Sequence, residues 1–271
     1  MAIIKGAIQM TGSIKGMSFY TVAGSDKVIM RTKGGPTKRR MKTGEEFAGV
    51  RKHQSEWAGC VKFSRTMGNA LGEIHRLADY NVWPVFCGMG KNLIKLDTEH
   101  PVGERTVLLS PYRNVLENFS LNRNFPFNTV LRINPEFEVS RESLQATVNL
   151  PQINTEMDLL KIQKLPYFRL IVSLGIVSDV VFQPDNHVRP YAPVIQEYSG
   201  CNSSTMSDWF STHDLIEEQT MTVKLLDEFV EQMTDEVTVL LGIGIEFGQV
   251  GFAGQTTPVK RAGCGKVLKV C

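Results

Sequence analysis

Leu144-Gln-Ala-Thr-Val-Asn-Leu150 alternates apolar and polar side chains with a period of two. That is the pattern of a half-buried β-strand. Similar short β-rich runs surround it at Thr106–Leu109, Thr129–Ile133, Phe168–Ser173, Ile176–Phe182, Met221–Leu226, Val237–Phe247 and Lys266–Val270. Turn formers separate them: Asn134-Pro135, Pro151, Pro166, Gly175, Pro184-Asp-Asn, Gly200 and Gly254. About seven strands at this spacing read as an antiparallel β-sandwich of immunoglobulin-like size over residues 106–271. Gly242-Ile-Gly-Ile-Glu-Phe-Gly248 lies in a β-rich setting, so its glycines mark a bulged or closely packed strand, not a dinucleotide turn. Pro184–Asp214 is long and polar, an elaborated loop.

Upstream the period changes to that of a helix. Phe47, Val50, Trp57, Val61, Met67, Leu71, Ile74 and Ala78 recur at helical spacing. Thr43 with Glu46 three residues on has the spacing of a capping box. Gly49, Gly59, Gly68 and Gly72 fall inside this run, and each costs up to about 1 kcal/mol against alanine. They imply either a neighbour packed very close or a break near Gly59 or Gly68. Trp83–Leu96, with Pro84 in its first turn, is a second helix. Asp79–Val82 connects the two, so residues 43–105 read as a helical hairpin.

Residues 1–42 form a glycine-rich arm. Met17–Val22 and Lys27–Thr32 are strand-like, and Ala23-Gly-Ser-Asp26 between them forms turns. The expected β-hairpin packs through Phe19, Tyr20, Val28 and Met30. Phe19 and Tyr20 point to opposite faces, as do Val28 and Ile29. A two-stranded hairpin is marginal alone and needs a partner surface. Beyond Gly34-Gly35-Pro36, Thr37-Lys-Arg-Arg-Met-Lys42 reads as a short basic linker. The fold class expected is therefore mainly β with a helical hairpin: an N-terminal arm, two helices and a C-terminal immunoglobulin-like sandwich.

Three sets of residues also carry a family resemblance: Thr11-Gly-Ser-Ile-Lys-Gly-Met-Ser-Phe-Tyr20 with Val28–Lys33, Thr43–Arg51 with Ser55-Glu-Trp57, and Phe137–Leu144 with a terminal Gly265–Val270 strand. The pattern resembles an uncharacterised protein family of Bacteroidota, of unknown function. In that family a Gly-rich opening and a helical segment precede a sandwich that begins at a Ser-Arg-Gly-x-Leu-like motif. Here Glu142 stands where glycine is usual, and spacings between motifs differ. The resemblance implies the architecture and supplies no catalytic residue.

The net charge of +2 hides an asymmetry: residues 1–105 carry 17 Lys+Arg and 9 Asp+Glu, and residues 106–271 carry 13 and 19. Lys33, Lys38, Arg39, Arg40 and Lys42 are the densest basic cluster. Three readings fit it: a solvated linker, a docking arm for the acidic half of a neighbouring copy, or a phosphate-binding segment.

Catalytic chemistry finds little anchor. His53, His75, His100, His187 and His213 form no HxH, HExxH or Cys/His metal spacing. Glu73 and His75, two apart on a helix, face different sides. Asp185-Asn-His187 beside Arg189, and His213-Asp214, read as polar loop tips. No G-x-S-x-G elbow occurs, and Gly263-Cys-Gly-Lys266 lacks the spacing of a phosphate loop. Cys60, Cys87, Cys201, Cys264 and Cys271 are odd in number without CxxC, which argues for reduced structural thiols. No secretory signal or apolar run of membrane-spanning length is present. The expectation is a non-enzymatic structural protein made in the cytoplasm that assembles with itself, as a virion or filament component. It needs no cofactor, metal, small-molecule substrate or membrane insertion. A nucleic-acid-associated protein is the alternative, and an enzyme with its site in Pro184–Asp214 ranks below both.

Overall fold

The computed structural model describes residues 2–4, 11–21, 27–32, 34–186, 190–252 and 254–271. The fold is mixed, 29% helical and 37% strand, with several antiparallel sheets and no barrel. It divides into two compact units, Met1–Arg51 and Lys52–Cys271. This differs from the three segments expected at 1–42, 43–105 and 106–271, because the helices share a core with the sheet.

The first unit holds β1 (Ala2–Ile4), β2 (Gly12–Ile14), β3 (Met17–Thr21) and β4 (Val28–Thr32) in one antiparallel sheet of order β1-β4-β3-β2. The expected pairing of β3 with β4 is present, with Phe19 opposite Met30. Their connecting turn, Ala23–Asp26, lies outside the described residues. A second hairpin, β2–β3, turns through Lys15 (φ 41) and Gly16 (φ 83). Positive φ at both positions matches the right-handed strand twist, and glycine adopts it without steric cost.

The stretch read as a basic linker is instead helix α1 (Lys38–Thr43), capped by Thr37, whose hydroxyl accepts from the Arg40 N–H at 3.2 Å. Thr43 is thus the last residue of a helix, not the N-cap of the next. Its hydroxyl donates to the Arg39 carbonyl. Glu46 takes the Arg40 guanidinium at 2.8 Å, not a capping-box partner.

Helix α2 (Ala48–Ala70) passes through Gly59 and Gly68 without a break. The break falls at Gly72 (φ 54), after which Gly72–Leu77 winds as a 3-10 helix. Close packing explains Gly59: a Cβ there would lie 2.7 Å from the Tyr191 ring. Helix α3 (Trp83–Leu93) follows, with Pro84 in its first turn.

The second unit continues with α4 (Phe127–Val130), β5 (Glu136–Ser140), β6 (Gln145–Leu150), β7 (Ile153–Asn154), β8 (Tyr167–Ser178), β9 (Val180–Phe182), β10 (Tyr191–Pro193), β11 (Asn202–Met206), β12 (Phe210–Ser211), β13 (Leu215–Ile216), β14 (Gln219–Lys224), β15 (Val237–Val250) and β16 (Thr256–Val270). Its main sheet runs β11-β8-β15-β16, and a smaller one β14-β6-β5. Three expected features differ. Of Thr129–Ile133, Thr129 and Val130 end helix α4 and Leu131 makes only an isolated bridge to Leu159, and Thr106–Leu109 makes only the Val107–Val180 bridge. Gly175, read as a turn, lies inside the continuous strand β8.

Alternation along the main sheet builds two cores. Leu170, Val172, Leu174, Val239, Leu241, Ile243 and Ile245 share one cluster with Ala146, Val148, Met221 and Val223 of the smaller sheet. Ile171, Val177, Leu240 and Val267, from the opposite face, join Phe63, Met67, Ile74, Leu77 and Phe86 of the helices. That helical face is paved with glycine. A Cβ at Gly175 would collide with the Ala70 carbonyl, and one at Gly242 with Ile74. One at Gly244 would sit 2.6 Å from Leu77 Cδ1. Asn122, 3% exposed, fastens the seated segment by donating to the Leu77 carbonyl at 2.8 Å and accepting from the Gly265 N–H at 2.9 Å.

Gly175→Ala should lower stability by about 1–3 kcal/mol through overpacking. Gly88→Ala, where a Cβ on the exposed side of helix α3 meets nothing within 4 Å, should raise it by up to about 1 kcal/mol. Urea unfolding midpoints of the two variants should move in opposite directions.

Candidate functional site

The basic cluster expected from the sequence lies on α1, where Lys38, Arg39, Arg40 and Lys42 are all exposed. Lys33 lies outside the described residues. Arg40 is held by Glu46, whose carboxyl sits below the usual carboxylate range because of that hydrogen bond. Lys38 and Lys42, one turn apart, share a helix face, and no carboxylate among the described residues pairs with them or with Arg39. Like charges at this spacing repel, so the face is poised to gain from an anionic partner.

The arm residues divide between two faces. Phe19 and Val28 are buried; Met30, opposite Phe19, is half-buried. Tyr20 is on the other face, with the Arg31 guanidinium 5.4 Å from its ring centroid. Trp57, expected in the core, is 45% exposed.

In the second unit a cleft of about 1020 Å³ opens beside the end of helix α2. Leu225, Leu226 and Phe229 form its apolar part, and Asn69, Asn202 and Ser203 supply polar groups. Glu73 and His75, expected on different sides, both line it, because the segment there is a 3-10 helix folded onto the sheet. Desolvation lowers the His75 pKa, which keeps the imidazole neutral at neutral pH. Burial, with the charge of Glu228 added, raises the Cys201 thiol and keeps it protonated. Glu73 is occupied by Arg76 at 2.7 Å. Among the described lining residues the thiol is therefore a protonated one and the carboxylate beside the imidazole is engaged by Arg76. Pro184–Asp214, expected as one elaborated loop and singled out as the place for an enzyme site, instead carries β10, β11 and β12, and it contributes Gly200 and Cys201 before β11 and Asn202 and Ser203 on β11 to this cleft. His187 and Arg189 lie outside the described residues.

Sequence reading missed the buried ion pairs. Glu246, 1% exposed, faces the helix side of β15. It accepts two hydrogen bonds from Arg76, and Arg169, directly across the ladder, reaches it at 2.8 Å. The Arg169 guanidinium lies 4.6 Å from the Trp209 ring centroid. Burial pushes the Glu246 carboxyl up, but the two arginines outweigh it and the net shift is downward. Glu56, 5% exposed, holds Arg105 in the same bidentate way. Only the acid in an otherwise apolar β-run, Glu246 within Val237–Phe247, signals such a pair in advance.

Among the described residues no helix is long and apolar enough to cross a membrane, and no cluster of three metal-ligating side chains occurs. Comparison with protein-family models, curated proteins and solved structures returned no match.

Glu246→Gln should cost about 1.5–3 kcal/mol, because it takes the charged acceptor away from half-buried Arg169 and from Arg76, whose solvent-facing side can still be hydrated. The depressed carboxyl pKa also fixes a sign. Its stabilisation is present above the unfolded-state value near 4.5 and is lost as pH falls through the lower folded value. Unfolding curves between neutral pH and strong acid should therefore show a shallower acid loss in Glu246→Gln than in the parent.

Proposed function

We propose that this chain is a non-enzymatic structural protein that assembles with itself through its N-terminal unit, as part of a virion or a filament. The observation that carries this reading is the thinness of that unit's core. Among its described side chains only Phe19 and Val28 are buried, at 8% and 3%. The β2, β3 and β4 part of the sheet, with so little buried apolar surface among its described side chains, gains little stability from its own packing. A neighbour's surface would supply the missing burial.

Charge supports the same reading. The two units carry opposite net charge: Met1–Arg51 has ten Lys/Arg against three acids, and Lys52–Cys271 has twenty against twenty-five. Attraction between the first unit of one copy and the second unit of the next is a heterologous contact, which closes into a ring or continues as a filament. We also read the second unit's strands as an immunoglobulin-like sandwich, with β5, β6 and β14 in one layer and β8, β11, β15 and β16 in the other. Strand three of that set, β8, sits with the last two as in the seven-strand immunoglobulin arrangement, whereas strand four, β11, joins them and not the first two. The resemblance to the Bacteroidota family agrees with this architecture.

Light scattering behind size exclusion tests the proposal. The full chain should give a mass several times 30.3 kDa. Deleting residues 1–42 should return a folded monomer; full assembly of the truncated protein would refute the arm model.

The exposed, unneutralised Lys38–Lys42 face favours a second reading, contact with nucleic-acid phosphates. Binding to a DNA duplex would then fall steeply with salt. Replacing Lys38, Arg39, Arg40 and Lys42 with alanine should reduce affinity at least tenfold at low salt, measured by fluorescence anisotropy, and unchanged affinity would exclude this use of α1.

A further inference from the structure

We propose that the large cleft of the second unit is the acceptor for helix α1 of a second copy. This names the receiving surface for the assembly described above and rests on that reading. The cleft is concave, and its apolar part includes Leu226, 62% exposed among the described residues. Its rim continues into the 3-10 helix Asp227–Gln232 and the turn after it. From Asp227 to Glu236 the chain carries Asp227, Glu228, Glu231, Asp235 and Glu236, and no Lys or Arg. Lys224 neutralises Asp227 at 2.6 Å; Glu228 and Glu231 have no cationic partner among the described residues. Glu228 lies near enough to Cys201, inside the cleft, to act on its thiol.

Helix α1 is the complement of this surface. It spans six residues, about 9 Å, and presents Lys38, Arg39, Arg40 and Lys42 around Met41. A basic helix with one apolar side chain suits an apolar cleft under an acidic rim. Of the other recesses, the groove of about 550 Å³ beside α3 is apolar and has no acid in its lining, so it offers α1 no counter-charge. The recess of about 290 Å³ over Glu246 is ringed by Arg76, Lys260 and Arg261 and repels α1.

The test is a charge exchange in the full chain, read as molar mass in solution at moderate salt. Glu228→Lys with Glu231→Lys leaves the Asp227–Lys224 pair in place and should reduce the assembly to monomer. Lys38→Glu with Arg39→Glu and Lys42→Glu should do the same. Mixing these two variants pairs intact helix with intact cleft and reversed helix with reversed cleft, and should restore the large assembly with the two chains alternating. Combining all five substitutions in one chain should restore the large assembly. Circular dichroism and the thermal midpoint of each variant report whether it is folded. If the acceptor variant is folded and still assembles fully while the 1–42 deletion is monomeric, the arm reading stands and the cleft is not its acceptor. If both variants are monomeric but neither mixture nor combination recovers assembly, the direct pairing of α1 with the cleft is wrong. A full chain that is monomeric from the start overturns both.

Discussion

The seating of Ala70–Leu77 on a glycine face of the main sheet governs the second unit. An α-helix ordinarily keeps its axis well clear of a sheet, with side chains filling the gap. Here Gly175, Gly242 and Gly244 remove those side chains from the sheet, and the backbone of the helix end comes down onto the strands. The positive φ at Gly72 lets the chain change from α to 3-10 winding at the point of contact. Ile74 and Leu77 then fill the space that larger strand residues would have taken. Each glycine weakens its own strand slightly, and the close contact offsets that cost through dispersion and burial.

The polar groups at this contact follow from the same approach. Because the 3-10 segment lies so low, Arg76 reaches Glu246 on the sheet face, and Asn122 bridges the Leu77 carbonyl to β16. Arg141 completes the far end of the sheet by donating to the carbonyls of Val237 and Cys271, each at 2.8 Å. This arginine belongs to the Ser140–Leu144 turn on which the family resemblance partly rests. The motif thus serves a physical purpose, since it ties the β5–β6 turn to the ends of β15 and β16. Buried thiols fit this dense interior. Desolvation first, and nearby charge second, push Cys60 up to about 11 and raise Cys264 further, which leaves both unreactive.

What the sequence reveals tracks how local the cause is. The alternation in Leu144–Leu150 and the β3–β4 hairpin are legible because period and pairing are written in adjacent residues. The glycines of 242–248 are legible as close packing, but not the helix end they receive. Gly175 reads as a turn because a lone glycine between two β-runs usually is one; only the Ala70 carbonyl above it explains a strand glycine. Thr37 is passed over as an N-cap because Thr43 and Glu46 offer a better local pattern, and Glu46 is drawn to Arg40 instead. The basic cluster is visible in composition; its helical form is not. The cleft joins residues near 70, 200 and 225, and no short motif announces such a meeting.

The ladder between β15 and β16 is interrupted in a way that affects how the sheet bears load. Between the pairs Glu246–Gly263 and Gly248–Pro258, β15 contributes Phe247 alone and β16 loops out Val259–Ala262, with Arg261 at φ 64. Plain strands can slide by two residues and keep their inward side chains inward. Here such a slide of β16 along β15 would force the looped-out residues into the ladder. The sheet is therefore keyed against shear along its strands, so tension applied end to end would be met by simultaneous loss of many hydrogen bonds, not by gradual slippage.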